Sequence, residues 1–387
     1  MELSDQIIKD LYKKDINVFF GVQGGAAARL IHSVVKNKGK FIPVLNEQAA
    51  GYAAHGYYMS TGKTAGCIFT TGPGFTNGIS GIAACFFDGV PMVVLVGQVN
   101  KSLNTAKKFK TRMVGFQEVQ HLKLAESVSN SRFKIDSAKN YAKQRNKILN
   151  SLNKETLVME VSDDAQREHI SISTKNYREI ERNKNKILLP SILKEGFKNP
   201  IILLGAGACN ILKNGKILKY LNKLEIPIAL TWGGQKLQSK VKNIGLFGRH
   251  SYGRANDYIF NADLVIAVGC SLLQHQAGKS GVKFARKAKI AFVNKDKNEI
   301  ARSKEFFGKR FYGIENNSIN FFNEYSKIKN KYIMQQQTLE LIEKNRKLHS
   351  NPILPVKIIH KFLSRLNDNC IVFADAGATL SWTYQAA

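Results

Sequence analysis

Short apolar runs alternating with helix-length segments constrain this chain more than any other feature. In the first 165 residues the runs are NVFFGV (17–22), FIPVL (41–45), AGCIFTT (65–71), PMVVLVG (91–97) and TLVMEV (156–161). Segments of helical pattern lie between them, over about 3–13, AAARLIHSVV, 47–61, 77–87 and 136–151. Runs of this length are too short to cross a bilayer and have the apolar content of strands buried on both faces. Strands separated by helices predict an α/β fold with a parallel sheet, and FIPVL is expected to be one of its buried strands.

A polar stretch, 166–194, reads as a linker, and a second α/β unit begins at Pro200. PIILLGAG, PIALTW, ADLVIAVG and KIAFVN are its expected strands, ILKNGKILKYLNKL is a helix, and 315–351 is a long connecting helix with loops. NPILPVKIIHKFLSRL is a helix with proline at its entry, and CIVFADAG after it is a strand. The expected division is 1–165, linker 166–194, 195–340, and a third unit, 351–387, too short for a core of its own.

A 44% apolar fraction is that of a globular protein. No apolar stretch is long enough for a membrane helix, and the N-terminus has no signal-peptide core, so a soluble, cytoplasmic protein is expected. The five cysteines are widely spaced without a C-x-x-C, which argues for small core residues over a disulfide framework or a zinc site. The net charge of +29 comes from lysines scattered end to end, without interleaved aromatics or a nucleic-acid-binding signature. It implies neither a nucleic-acid nor a membrane partner.

Glu47 is the residue that needs explaining. It opens a helix of small and aromatic residues (EQAAGYAAHGYYMST), where an acid is either favoured by the helix dipole or buried for a chemical task. Two glycine turns, GVQGG (21–25) and TTGPGFTNG (70–78), each lead from a strand into a helix. Such turns bring backbone N–H groups close to a ligand, or serve only as tight connections. GAGACN (205–210) starts like a dinucleotide fingerprint but ends in Asn.

The order of the motifs is more specific than any one of them. Gly24-Gly25, Glu47-Gln48-Ala49-Ala50, Gly72-Pro73-Gly74-x-x-Asn77, Asp88-Gly89-Val90-Pro91, Gly97-Gln98 and Phe116-Gln117-Glu118 follow one another in one unit. This resembles the pyrimidine-binding domain of thiamine-diphosphate-dependent enzymes, in particular the acetolactate synthases. NADLVIAVGCSL and AFVNKDKNEI resemble that family's central Rossmann-like domain, and ADAG the start of its diphosphate-binding domain.

The resemblance implies a set of roles. Glu47 would hydrogen-bond the aminopyrimidine nitrogen and promote the imino tautomer that deprotonates the thiazolium carbon, for attack on a 2-oxo acid. Gly24 and Gly25 would let backbone approach the cofactor. Pro73 and Asn77 would line the aminopyrimidine pocket, Gln117 would lie near the cofactor, and Gly377 near the diphosphate. Phe116 would border the substrate, against the alternative of a core aromatic. Mg²⁺ would be held by a G-D-G…N motif; no GDG occurs here, and its ligands are expected beyond Ala387, so no metal ligand is assigned and this chain alone is expected to be inactive. The resemblance also brings in FAD, which acetolactate synthases often carry in the central domain, but GAGACN is too partial a match to establish it here.

The implied activity is carboligation or decarboxylation of 2-oxo acids, with pyruvate as donor, in a homodimer or homotetramer with shared sites. Another decarboxylase or lyase of the family, a non-catalytic partner subunit and a nicotinamide enzyme remain as alternatives. His55, about two turns (~12 Å) beyond Glu47, is expected to pack rather than react. His250, Arg249 and Arg254 lie where the family's central domain approaches the active site.

Overall fold

The computed structural model describes residues 1–171, 189–209, 216–237, 240–249, 251, 254–279, 284–328, 338, 340, 353–367, 369–375 and 377–386. They form two compact units, Met1–Lys184 and Asn185–Ala387, each α/β.

The first unit contains a parallel six-stranded sheet. Its strands are β1 (Val18–Gly21), β2 (Lys40–Pro43), β3 (Gly66–Phe69), β4 (Met92–Gln98), β5 (Ser131–Ile135) and β6 (Thr156–Ser162), in the order β2-β1-β3-β4-β6-β5. Helices α1 (Leu3–Tyr12), α2 (Ala28–Lys36), α3 (Glu47–Thr61), α4 (Pro73–Phe87) and α5 (Ala138–Ser151) flank it. Alternation along β4 decides which side chain meets which layer: Val93 and Leu95 join the core with Leu3, Ile7, Leu30 and Tyr141. Met92, Val94 and Val96 join the other, with Ala50, Phe75 and Ile82. Ordered packing continues to Ile170, whose N–H donates to the Met1 carbonyl.

Small residues in α3 have a packing cause. A Cβ on Gly51 would lie 2.5 Å from the Gly81 Cα, so α3 and α4 touch backbone to backbone. Asn46 caps α3, its side chain accepting from the Gln48 N–H at 2.8 Å, and Gly62 ends it at φ 76°. Glu47 is therefore not needed as the cap.

Three expectations are corrected in this unit. FIPVL is not a buried strand: β2 is a half-exposed edge that ends at Pro43, and Leu45 is 104% exposed. As an edge it pairs only with β1. Its apolar run carries no burial by itself. The stretch between the strand PMVVLVG and the helix at 136–151, where no strand was expected, contains β5, whose sequence SRFKI buries only Phe133 and Ile135. The expected helix at 77–87 begins four residues earlier, at Pro73.

The second unit has strands β7 (Pro200–Leu204), β8 (Ile228–Leu230), β9 (Asn243–Leu246), β10 (Leu264–Val268), β11 (Lys289–Asn294) and β12 (Phe311–Glu315). Their order, β9-β8-β7-β10-β11-β12, is parallel throughout and is the doubly wound order of dinucleotide-binding sheets. β9 and β12 were not foreseen. Residue 315, the expected start of a long helix, is the end of β12; a helix covers Ser318–Tyr325, and most of 329–350 lies outside the described residues. Asn210 of the GAGACN turn and residues 211–215 of the expected helix ILKNGKILKYLNKL also lie outside them.

The helix at Leu354–Leu363 has proline at its first turn, as expected. CIVFADAG does not form a strand: the described residues from Cys370 to Asp375 have no regular structure and Phe373 is 91% exposed. A strand needs a neighbour for its N–H and C=O groups, and no described strand pairs with this run. Cys67, Cys85, Cys209 and Cys270 are buried thiols outside any disulfide, whereas Cys370 is exposed, against the expectation of a core residue. No helix among the described residues is long and apolar enough to cross a membrane.

Candidate functional site

The strand ends of the first sheet bring distant residues together at Thr70, just past β3. A Cβ on Gly24 would meet the Thr70 side chain at 2.6 Å, and one on Gly74 would meet it at 2.6 Å and Glu47 Oε1 at 3.3 Å. The two glycine turns and the head of α3 thus converge on one threonine. Gly24 has extended backbone at φ −169°, and no atom lies within 4 Å of the Cβ position of Gly25.

Glu47 sits in the first turn of α3 and is 8% exposed. Its Oε2 accepts from Asn77 Nδ2 at 3.3 Å. Among the described residues no Lys, Arg or His pairs with it, and Oε1 has no hydrogen-bond partner. A buried acid normally has its oxygens satisfied; this one leaves an oxygen over Gly74, where only a small residue fits. A ring nitrogen that shares a proton with the carboxyl suits that free oxygen, and the bare glycines around it suit close approach.

Pro73 opens α4, and with Gln117 it lines a cavity of ≈ 680 Å³. Thr76, Arg112, Met113 and Glu118 also line it. Glu47 reaches α4 through Asn77 and Gly74, and the cavity reaches the same first turn through Pro73 and Thr76. Gln117 is left-handed at φ 56°, an uncommon state for a side-chain-bearing residue. It faces Gly72, itself at φ 65°, where a Cβ would stand 2.7 Å from the Gln117 carbonyl oxygen. Gly72 has to be glycine for both reasons.

Phe116 is 74% exposed, so it is no core aromatic. Glu118 is structural: its two oxygens accept from the Ala106 and Gly115 N–H groups at 2.6 Å and shape the loop before it. His55 pairs with Asp88 at 2.8 Å, tying α3 to the end of α4 away from Glu47. Gly377 is in the second unit, at φ 97° before the helix Ala378–Ala386. Arg249 and Arg254 are in that unit too, and His250 lies outside the described residues.

The GAGACN turn is spent on the protein itself. A Cβ on Gly205 would lie 2.2 Å from the Gly269 carbonyl oxygen, and one on Gly207 3.2 Å from the Gly269 Cα. The Gly207 N–H donates to the Gly269 carbonyl at 3.1 Å. Close packing between the β7 and β10 turns accounts for both glycines. No group of three or more His, Cys, Asp or Glu among the described residues could hold a metal.

Sequence reasoning missed a buried cluster under the Thr71–Gly72 turn: His121, Glu160, Gln98 and Thr71. Gln98 had been quoted in an ordered motif and Thr71 in the TTGPGFTNG turn, neither with a role. The signal available was Glu160, a lone acid in an otherwise apolar strand.

Residues 1–124 match the model described as thiamine pyrophosphate enzyme, N-terminal TPP binding domain, and 193–307 match its central domain. The chain belongs to the thiamine pyrophosphate enzymes. It is similar to a probable acetolactate synthase large subunit of Methanococcus aeolicus, 26% identical over 99% of this chain and 68% of the relative. It is 29% identical to the mitochondrial acetolactate synthase catalytic subunit of Saccharomyces cerevisiae, over 72% of this chain and 42% of that one. Acetolactate synthase 2, chloroplastic, of Brassica napus is 26% identical over 78% of this chain and 48% of its own length. The chain thus spans two thirds of the archaeal relative's length and about half of the other two.

Proposed function

We propose that the first unit is the pyrimidine-binding half-site of a thiamine-diphosphate-dependent enzyme that joins or decarboxylates 2-oxo acids, with pyruvate as donor. The observation that carries this reading is Glu47, a buried carboxyl with a free oxygen and no cation, in a domain that matches a TPP-binding model. The bound cofactor would supply an electron sink for decarboxylation.

The chain's residues would do the following. Glu47 Oε1 would hold the proton at the aminopyrimidine nitrogen, while Asn77 fixes Oε2 and so the orientation of the carboxyl. Gly24 and Gly25 would admit the ring, and Pro73 and Gln117 would border it from the cavity side. Phe116, exposed beside Gln117, would meet the substrate. Gly377 would approach the diphosphate.

Mg²⁺ is assigned to no residue of this chain, and FAD to no step. The division at 1–165, 195–340 and 351–387, a homodimer or homotetramer with shared sites and a cytoplasmic location complete the proposal. The test is Glu47→Gln in the whole protein. Pyruvate consumption with thiamine diphosphate and Mg²⁺ should be lost while the circular dichroism spectrum stays that of the wild type. Wild-type turnover in the variant would overturn the role.

A further inference from the structure

The buried cluster beneath the glycine turn lies outside everything assigned so far. His121 is fully buried, and its Nδ1 is 2.8 Å from Glu160 Oε2, which is also buried. On the opposite side of the ring, the Gly72 N–H points at Nε2 at 3.3 Å, and the Thr71 hydroxyl is also 3.3 Å from Nε2. Gln98 Nε2 is 2.9 Å from the Val119 carbonyl and 3.3 Å from Glu160 Oε2. Its Oε1 accepts from the Val99 N–H at 2.9 Å and lies 3.0 Å from the Thr71 hydroxyl. That hydroxyl is also 3.2 Å from the Gln117 carbonyl oxygen. The Phe75 ring stands edge-on to the imidazole, with centroids 5.0 Å apart.

Donor counting assigns the protons. The Gly72 N–H can only donate, so Nε2 must present its lone pair. Glu160 accepts, so Nδ1 carries the hydrogen. The ring is then a neutral Nδ1–H imidazole; Gln98 Nε2, 3.2 Å from Nδ1, turns its amide protons to the Val119 carbonyl and to Glu160 Oε2, the oxygen that the Nδ1–H also meets. The Thr71 hydroxyl has one proton for the acceptors around it. Either alternative, an Nε2–H tautomer or an imidazolium, would set N–H against N–H at Gly72 and leave a buried donor without a partner.

We propose that His121, oriented by Glu160 and Gln98, is a positioning residue that holds the Thr71–Gly72–Pro73 turn and the Gln117 loop in the shape the cofactor pocket requires. The inference rests on the half-site reading above. The cluster ties the ends of β3, β4 and β6 to the loop at 117–121. Gly72 and Gln117, the two left-handed residues that face each other there, are both anchored by it. His121 touches neither cofactor nor substrate on this account.

The experiment uses the whole protein without cofactor, then with it. Nitrogen-15 histidine spectra should show one neutral imidazole with Nδ1 protonated and Nε2 bare; an imidazolium or the opposite tautomer at His121 overturns the proposal. In hydrogen-exchange mass spectrometry, His121→Leu should speed exchange in the peptide containing Gly72 by about tenfold or more, the effect of orphaning a buried N–H. His121→Gln, which can again accept from Gly72, should restore protection to within about threefold. Unchanged protection in His121→Leu, or no rescue by His121→Gln in a folded protein, also overturns it.

Thiamine diphosphate titration then separates the two layers. Affinity should fall in His121→Leu and recover in His121→Gln. Lost protection with unchanged affinity would overturn the claim that the turn is held for the cofactor, and would count against the half-site reading as well.

Discussion

The turn after β3 and the turn after β7 have the same local grammar, a buried parallel strand followed by glycines and a helix, yet they are used in opposite ways. After β3, Gly72 faces Gln117 and leaves a cavity beside Pro73; across the sheet, Gly25 has open space in front of it. After β7, Gly205 and Gly207 close on the Gly269 turn, backbone against backbone. A glycine turn allows close approach but does not say what approaches. The neighbouring chain decides: acid, amide and open space converge at the first turn, as the proposed half-site requires, whereas another glycine turn fills the gap at the second.

Substitutions can break this contrast. The largest effect belongs to Glu47→Gln, which should lower turnover of the whole protein by about 10²–10⁴-fold with no loss of stability, the usual scale for removing a proton-transfer group. Steady-state pyruvate consumption and a thermal melt check it together. Next comes Gly72→Ala. Its left-handed backbone and the contact with Gln117 should cost about 1–3 kcal/mol by urea unfolding and weaken thiamine diphosphate binding.

Gly205→Ala is the matched control. It should destabilise the second unit by about 1–3 kcal/mol through overpacking while leaving cofactor affinity unaltered. A loss of affinity there without unfolding would erase the contrast between the turns. Gly25→Ala should do the reverse, leaving unfolding unchanged and weakening cofactor binding in a titration, because nothing of the protein stands in its way.

The smallest effect is chemical. Burial pushes the Cys67 and Cys270 thiols up, and that of Cys85 up to about 12, helped by the nearby Asp88. Iodoacetamide at neutral pH should label Cys370 in the native protein and spare these three, as read by peptide mapping.

Much of this architecture was legible because burial leaves a compositional mark. β4 and β6 are apolar at nearly every position, and α3 starts at Glu47 as its composition suggests. Edges leave less of a mark. β5 and β12 bury only part of their surface, β9 is only four residues long and opens on Asn243, and SRFKI, NIGL and FYGIE look like loop sequence without the neighbours they pair with. The reverse error occurred at CIVFADAG, apolar enough for a strand but with no described strand beside it.

The site divides along the same line. Glu47, Gly24, Gly74 and Asn77 were readable as an ordered set, and the fold brings them to one place around Thr70. His121 was not, since its partners Thr71 and Glu160 are 50 and 39 residues away and no periodicity links them.

The most direct measurement is a structure of the whole protein with thiamine diphosphate and Mg²⁺. The account predicts the aminopyrimidine ring nitrogen within about 3 Å of Glu47 Oε1, with the ring against Gly25 and Asn77 still on Oε2. A cofactor bound elsewhere, or Glu47 turned to another partner with the cofactor in place, would contradict it.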